Sequence, residues 1–237
     1  MVTAPQTQIF DDANQLARHG ADWIARFIAA KIGSFRLALT GGSTPRALYH
    51  ELGARSDIDW ARVEFFWIDE RFVPPDDQDS NYHMAYESLL SRIPAPATNI
   101  HPIPTAGDPD DAARAYEDTL KKAYGAGILE PAQPLFDLVL LGLGSDGHIC
   151  SLLPGSPVLE ERRLWVAAVK QGRPEIRITL TYPSVQSSRA TAFIITGQEK
   201  AEAVRAVRAG DMTLPGGRLR PEGELFWLLD HAAASSI

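Results

Sequence analysis

His148 is the residue of this sequence best suited to proton transfer, because an imidazole can accept and release a proton near neutral pH. It ends the run 142–148 (GLGSDGH), in which Asp146 stands two residues earlier. A nearby carboxylate can fix one tautomer of the ring and stabilise the imidazolium, and the glycines allow a tight turn that leaves the ring accessible. The alternative interpretation is a histidine satisfied by hydrogen bonds within an ordinary loop.

A second group of residues is suited to binding an anion. Gly41, Gly42, Ser43 and Thr44 follow an apolar run and precede a predicted helix, so this turn can present backbone N–H groups to a phosphate. The motif is neither the dinucleotide fingerprint nor the P-loop, which favours a monophosphate over a nucleotide. Lys200 stands near another helix start, where a cation is disfavoured unless an anion is bound. An ordinary turn and a solvated lysine are the alternatives.

Asp69, Glu70 and Arg71 form a third cluster, which could serve as a base, a structural ion pair or a substrate clamp. Arg71 suits bidentate contact with phosphate or carboxylate oxygens, and a salt-bridged charge run is the alternative. The single cysteine, Cys150, is expected to pack as a small apolar residue. Because the other histidines show no metal-ligand spacing, we predict no metal site and no cofactor.

The elements that would position these clusters follow from hydrophobic periodicity. The predicted strands span residues 35–40, 63–68, 136–142, 177–181, 190–196 and 225–229, and the predicted helices span residues 11–31, 46–52, about 80–90, 110–124, a segment after Gly197 and a short C-terminal segment. A Ser or Thr before Pro45 would start the second helix, and Asp79 or Ser80 would cap the third. Residues 92–109 would form a surface connection.

Strands that alternate with helices predict an α/β fold with a mainly parallel sheet, helices on both faces, and one domain over residues 1–237. In such a sheet, ligands bind at the carboxyl ends of the strands. A predicted strand precedes each of the polar clusters, which are Gly41–Thr44, Asp69–Arg71, residues 142–148 and the segment bearing Lys200. We therefore expect four polar clusters to converge at one edge of the fold.

Composition excludes several classes of protein. The chain has 237 residues, is 45% hydrophobic, and carries a formal charge of -7, so its net field does not attract nucleic acid or anionic membranes. One cysteine allows no intrachain disulfide. We find no signal peptide at the N-terminus and no apolar run long enough to span a bilayer. The sequence predicts a cytoplasmic globular protein without nucleic-acid or membrane partners.

Taken together, the motifs resemble the 6-phosphogluconolactonase family. The matching runs are 39–45 (LTGGSTP), 67–74 (WIDERFVP), 79–82 (DSNY), 141–148 (LGLGSDGH), 151–155 (SLLPG), 177–179 (RIT) and 197–200 (GQEK), in the order of the family. The departures are Leu153, where Phe is frequent, and Ile149-Cys150, where Thr-Ala is frequent. The resemblance implies the Rossmann-like fold of glucosamine-6-phosphate deaminase and ribose-5-phosphate isomerase. We also expect a monomer or weak homo-oligomer.

The resemblance also implies a reaction, the metal-free hydrolysis of 6-phospho-D-glucono-1,5-lactone to 6-phosphogluconate in the oxidative pentose phosphate pathway. His148 would be the general base for a water and would then protonate the departing ring oxygen, while Asp146 orients the ring. Arg71 would contact either the phosphate or the developing oxyanion. The Gly41–Thr44 turn and Lys200 would anchor the phosphate, and Asp69 would bind the substrate.

Two other functions share most of these features. The first is glucosamine-6-phosphate deaminase, whose pattern has Tyr at the position of Arg71 and an Asn-Glu-Pro run where this chain has Leu152-Leu153-Pro154. The missing Glu argues against deamination, because that chemistry uses a carboxylate beside the histidine. The second is a sugar-phosphate sensor without catalysis. No DNA-binding segment supports it, and all the candidate catalytic residues are present.

Overall fold

The computed structural model describes residues 4–237 of the chain. Within that range ten strands and six α-helices follow one another: β1 (Gln6–Phe10), α1 (Ala13–Ala30), β2 (Phe35–Leu39), α2 (Ser43–Gly53), β3 (Val63–Trp67), β4 (Asp69–Arg71), α3 (Asn81–Ser88), β5 (Ile100–His101), α4 (Pro109–Tyr124), β6 (Phe136–Leu141), β7 (Val166–Val169), β8 (Arg177–Leu180), α5 (Tyr182–Gln186), β9 (Ser188–Ile195), α6 (Ala201–Arg208) and β10 (Glu224–Asp230). None of the helices in this range is long and apolar enough to cross a bilayer.

Seven of the strands form one parallel sheet in the order β1-β10-β9-β6-β2-β3-β5. All six residues of β6 are buried, as expected for a central strand whose two faces are both covered. The predicted α/β fold with a mainly parallel sheet is therefore confirmed. The single-domain assignment stays a prediction, and its first three residues lie outside the described residues.

A second, antiparallel sheet joins β4, β8 and β7. The sequence did not predict this sheet. The strand predicted at 177–181 belongs to it, and Asp69–Arg71, expected to follow a strand, is itself a strand. The chain changes sheet at Ile68, whose N–H donates to Leu39 O and whose carbonyl accepts from Leu180 N. Strands β1, β5 and β7 were not predicted, because runs of two to five residues carry little periodic signal.

The helix starts show how local chemistry sets the elements near the site. Ser80, one of the two predicted caps, accepts a hydrogen bond from His83 N at 3.1 Å. Helix α2 begins earlier than predicted: Gly42 is its N-cap with φ +114°, and Ser43 and Thr44 lie inside the first turn instead of capping it. A left-handed φ suits glycine, which explains its use here.

Two predictions at the C-terminal side need correction. Lys200 ends a 3-10 turn, Gln198–Lys200, that leads into α6, so it precedes the α-helix rather than lying within it. The predicted C-terminal helix is absent from the described residues, where positions 231–236 form turns. The side chain of Asp230 accepts hydrogen bonds from Gly197 N and Ala233 N, which ties these turns to the segment before Lys200.

Candidate active site

A cavity of about 320 Å³ opens at the carboxyl ends of β2, β3, β6 and β9, where the sequence predicted convergence. Its lining includes residues from all four predicted clusters: Gly41, Gly42, Asp69, Arg71, His148 and Lys200. Three other predicted residues lie beside it instead. Asp146 contacts His148, Ser43 is in the first turn of α2, and Thr44 Oγ1 lies 2.6 Å from Thr196 Oγ1.

His148 and Asp146 form a hydrogen-bonded pair at the edge of this cavity. His148 Nδ1 lies 2.5 Å from Asp146 Oδ1, and the backbone N–H of His148 donates to the same oxygen at 3.2 Å. Partial burial would raise the pKa of Asp146, but the hydrogen bonds and charge of His148 together with the hydrogen bond from Arg173 outweigh it and lower that pKa. With Nδ1 engaged, Nε2 is the ring nitrogen available to a water or a ligand.

The turn that carries the pair leaves little space around the imidazole. Gly144 N donates to His148 O at 2.9 Å, and Gly147 N donates to Gly144 O at 2.9 Å. A Cβ atom at Gly144 would lie 2.0 Å from His148 Nδ1, far inside van der Waals contact. Only glycine fits this position without displacing the ring. The backbone around Gly144 therefore leaves room for one orientation of the His148 imidazole.

Asp69 brings a buried carboxylate to the cavity, with 7% of its surface exposed. Its Oδ2 accepts a hydrogen bond from Ser151 Oγ at 2.6 Å, and its Oδ1 lies 3.4 Å from Asn81 Nδ2. Both neighbours also line the cavity, and the motif analysis did not select either as a site residue. A carboxylate held in this way is suited to accept hydrogen bonds from sugar hydroxyl groups.

Two arginines face the cavity from the antiparallel sheet. Arg71 on β4 is the register partner of Arg177 on β8. The Nε atom of each is buried and has no hydrogen-bond partner among residues 4–237. Burial, reinforced by the charge of Arg71, lowers the pKa of Arg177. Two like charges held side by side with unused donors make a site for an anion with several oxygens.

Sequence analysis missed Arg177 and Arg173 as site residues, although both line the cavity. Arg177 is the first residue of β8. Because β8 runs antiparallel to β4, this residue lies beside Arg71, the last residue of β4, at the edge of the sheet near the cavity. The run 177–179 matches a motif of the family, and this match is the sequence signal for Arg177. Arg173 lies between β7 and β8, in a segment with no motif. With Arg71 and Lys200, these residues give the cavity four cations, against a chain charge of -7.

Glu70 lies next to Asp69 and Arg71 but does not line the cavity. Its carboxylate is 2% exposed and accepts hydrogen bonds from Asn81 N and Tyr82 N, each at 2.7 Å, and from Ser80 Oγ at 3.0 Å. Burial raises its pKa, although these hydrogen bonds act in the opposite direction. Glu70 therefore anchors the start of α3. Its role is structural, through hydrogen bonds to the first residues of that helix.

Cys150 lines the cavity, but its thiol is a poor nucleophile. Burial, with a contribution from the charge of Asp69, raises the pKa of the thiol well above its ordinary value, and the thiolate is the reactive form. In the described part of the chain no group of three or more His, Cys, Asp or Glu side chains is arranged to hold a metal ion. The metal-free chemistry expected from the sequence stays a prediction.

A family model described as glucosamine-6-phosphate isomerases/6-phosphogluconolactonase matches residues 11–227. A chloroplastic 6-phosphogluconolactonase 3 of Arabidopsis thaliana is 40% identical over 232 residues, which cover 94% of this chain and 71% of the relative. The structure of 6-phosphogluconolactonase from Trypanosoma cruzi matches with a TM-score of 0.87 at 28% identity, covering 100% of this chain and 98% of that one.

Another solved structure bears on the fold. The structure of a monomeric glucosamine-6-phosphate deaminase matches with a TM-score of 0.84 at 22% identity, covering 98% of this chain and 100% of that chain. At this identity the likeness extends to the fold alone. The predicted fold shared with glucosamine-6-phosphate deaminase is confirmed, and the fold by itself does not separate hydrolysis from deamination.

Proposed function

The chain belongs to the glucosamine-6-phosphate isomerase/6-phosphogluconolactonase family, and on that premise we propose that it hydrolyses 6-phospho-D-glucono-1,5-lactone to 6-phospho-D-gluconate. The reaction is the second step of the oxidative pentose phosphate pathway. The observation that carries the proposal is the His148–Asp146 pair at a cavity lined by four cations. Such a cavity suits a substrate that has an anionic group at one end and a bond to hydrolyse at the other.

The proposed chemistry needs one proton acceptor. His148 Nε2 takes a proton from a water molecule while the water oxygen attacks the lactone carbonyl at C1. The bond between C1 and the ring oxygen then breaks, and the imidazolium returns the proton to that oxygen, which becomes the C5 hydroxyl. Asp146, at 2.5 Å from Nδ1, keeps the ring in one tautomer and stabilises the imidazolium between the two steps.

We assign Arg71 to the phosphate rather than to the oxyanion. Its register partner is Arg177, and the buried Nε of both arginines lacks a partner among the described residues. A phosphate dianion can accept hydrogen bonds from both guanidinium groups and relieve their mutual repulsion. Lys200 and the N–H groups of the Gly41–Thr44 turn complete the proposed phosphate site. Binding energy at this end then positions the carbonyl for attack.

Deamination of glucosamine 6-phosphate is the nearest alternative within the family. The residues that follow the His148 loop favour hydrolysis, since Leu152 and Leu153 are buried apolar side chains where a deaminase needs a carboxylate. Release of ammonia from glucosamine 6-phosphate would overturn the proposal. A stoichiometric complex with the lactone, without turnover, would favour the sensor. We further propose that the enzyme acts in the cytoplasm as a monomer or weak homo-oligomer, without nucleic-acid, membrane, metal or cofactor partners.

The proposal is tested by an assay on freshly generated 6-phosphogluconolactone, coupled to oxidation of the product. His148→Ala should lower kcat by ~10²–10⁴, the usual effect of losing a general base. His231→Ala is a matched control, because this ring is largely exposed and does not line the cavity. Spontaneous opening of the lactone must be subtracted. A His148→Ala variant that keeps near-wild-type kcat above this background would contradict the assignment.

A further inference from the structure

Arg173 contacts the His148–Asp146 pair from a segment distant in sequence. Its Nη2 lies 3.0 Å from Asp146 Oδ2 and 3.3 Å from His148 Nδ1. The two oxygens of Asp146 therefore have different partners, since Oδ1 contacts the imidazole and Oδ2 contacts the guanidinium. Without the second contact, the carboxylate of Asp146, whose side chain is 41% exposed, could rotate about its own bonds.

The segment that carries Arg173 is the hairpin connection between β7 and β8. The strands fix its ends, because Val169 is the register partner of Arg177. In its middle, Gly172 has φ +88°, a left-handed conformation that suits glycine, and its Cα faces Leu153 Cδ1. Leu153 follows the catalytic loop, residues 142–148, so the segment that carries Arg173 lies beside the residues after that loop.

We propose that Arg173 is a positioning residue for the hydrolysis. It holds the Asp146 carboxylate in the orientation that fixes the His148 ring, with Nε2 directed to the attacking water. This inference rests on the proposed function. Arg177 pairs with a different carboxylate, that of Glu175, and its buried Nε, like that of Arg71, has no partner among residues 4–237. The guanidinium of Arg173 is instead engaged with the carboxylate that contacts His148, so its effect should appear in the chemical step rather than in substrate binding.

The first experiment separates positioning from binding through steady-state kinetics. Arg173→Ala should lower kcat by ~10–100-fold, the range expected when an orienting partner is lost, and should change KM by less than about 3-fold. Arg173→Lys should recover part of the loss, because an ammonium group can reach one carboxylate oxygen but lacks the planar fork. Arg163→Ala, an exposed arginine outside the cavity lining, is the charge-matched control and should keep wild-type kinetics.

A double-mutant cycle tests the route through Asp146. In an Asp146→Asn background the Arg173→Ala change should cost less than about 3-fold in kcat, since the group it acts through is already altered. Full additivity would overturn the proposal, as would a rise in KM at unchanged kcat. Gly172→Ala gives a second variant, because φ +88° is unfavourable for an alanine and the backbone next to Arg173 would have to change. It should lower kcat in the same way as Arg173→Ala.

A readout without substrate distinguishes failure of this inference from failure of the proposed function. The six histidines of the chain can be followed by nitrogen-detected NMR, with His148 assigned from the His148→Ala variant. In the wild type, His148 should populate the single tautomer protonated on Nδ1, and in Arg173→Ala the two tautomers should mix. An unchanged His148 spectrum would overturn the positioning role. If the wild type lacked lactonase activity but the tautomers still differed between the wild type and Arg173→Ala, only the proposed function would be overturned.

Discussion

The parallel sheet and the antiparallel sheet both reach the cavity, but they bring different kinds of group to it. Loops after the parallel strands supply His148, Asp146, the glycine turn at the start of α2, and Lys200. The antiparallel sheet and its hairpin supply the other three cations, Arg71, Arg173 and Arg177. In the proposed mechanism, a loop of the parallel sheet carries the proton-transfer pair and the antiparallel strands carry the two arginines of the phosphate site, while Arg173 on their hairpin positions Asp146.

The division has a physical reason. The loop after β6 can hold a ring in one arrangement because its glycines allow tight turns and close backbone contacts. A short antiparallel pair cannot easily do this, but it places side chains from two strands next to each other in register, as with Arg71 and Arg177. Adjacent like charges are unfavourable without a ligand and favourable with an anion between them. The loop after β6 is therefore suited to orienting one ring, and the β4–β8 pair is suited to placing two cations side by side.

The largest effect that would test this division is a change in the catalytic loop. Gly144→Ala should lower kcat by ~10²-fold, because the added Cβ would lie 2.0 Å from His148 Nδ1 and displace the ring. KM should change little, since the cations are untouched. The control is Gly127→Ala, where nothing lies within 4 Å of the added atom. Kinetics of the purified variants provide the measurement, and a Gly144→Ala enzyme with altered KM alone would break the comparison.

The two regions also differ in how well the sequence predicts them. The strands before Gly41, Asp69 and Gly142 are apolar runs that end in polar residues, so both the sheet and the convergence of its loops could be predicted. Strand β4 has three residues and no periodicity, so its pairing with β8 was not predictable. Arg173 reaches Asp146 across 27 positions of sequence, and no local pattern indicates such a contact. The cations of the antiparallel sheet were therefore found only in part.

The next effect concerns the antiparallel sheet. Arg177→Ala should raise KM by ~10–100-fold with a smaller change in kcat, since a hydrogen bond to a charged group contributes about 1.5–3 kcal/mol. The KM of Arg177→Lys should lie between those of Arg177→Ala and the wild type, because lysine keeps the charge but lacks the planar guanidinium. The control is Arg205→Ala, which removes an exposed arginine paired with Glu202 on the protein surface. An Arg177→Ala enzyme with normal KM and a large loss of kcat would reverse the proposed roles of the two sheets.

The smallest expected effect lies where the two regions are joined. Ser151, which follows the catalytic loop, donates through Oγ to Asp69 Oδ2 on β4 at 2.6 Å, and its N–H donates to Thr179 Oγ1 on β8 at 3.1 Å. Ser151→Ala leaves one oxygen of a buried carboxylate without this partner, so it should lower the free energy of unfolding by about 1–3 kcal/mol in urea titrations.

Ser151→Ala should also change kinetics in a way that neither sheet alone produces. Because Asp69 would lose one of the contacts that orient it, and the loop would lose an anchor to β4, kcat and 1/KM should both fall, each by a few-fold. Ser235→Ala is the control, since that exposed hydroxyl accepts a hydrogen bond from Gln198 at the surface, away from the cavity. If Ser151→Ala changed kcat alone, the hydrogen bond would serve the catalytic loop and not the junction, and the two sheets would act independently of this contact.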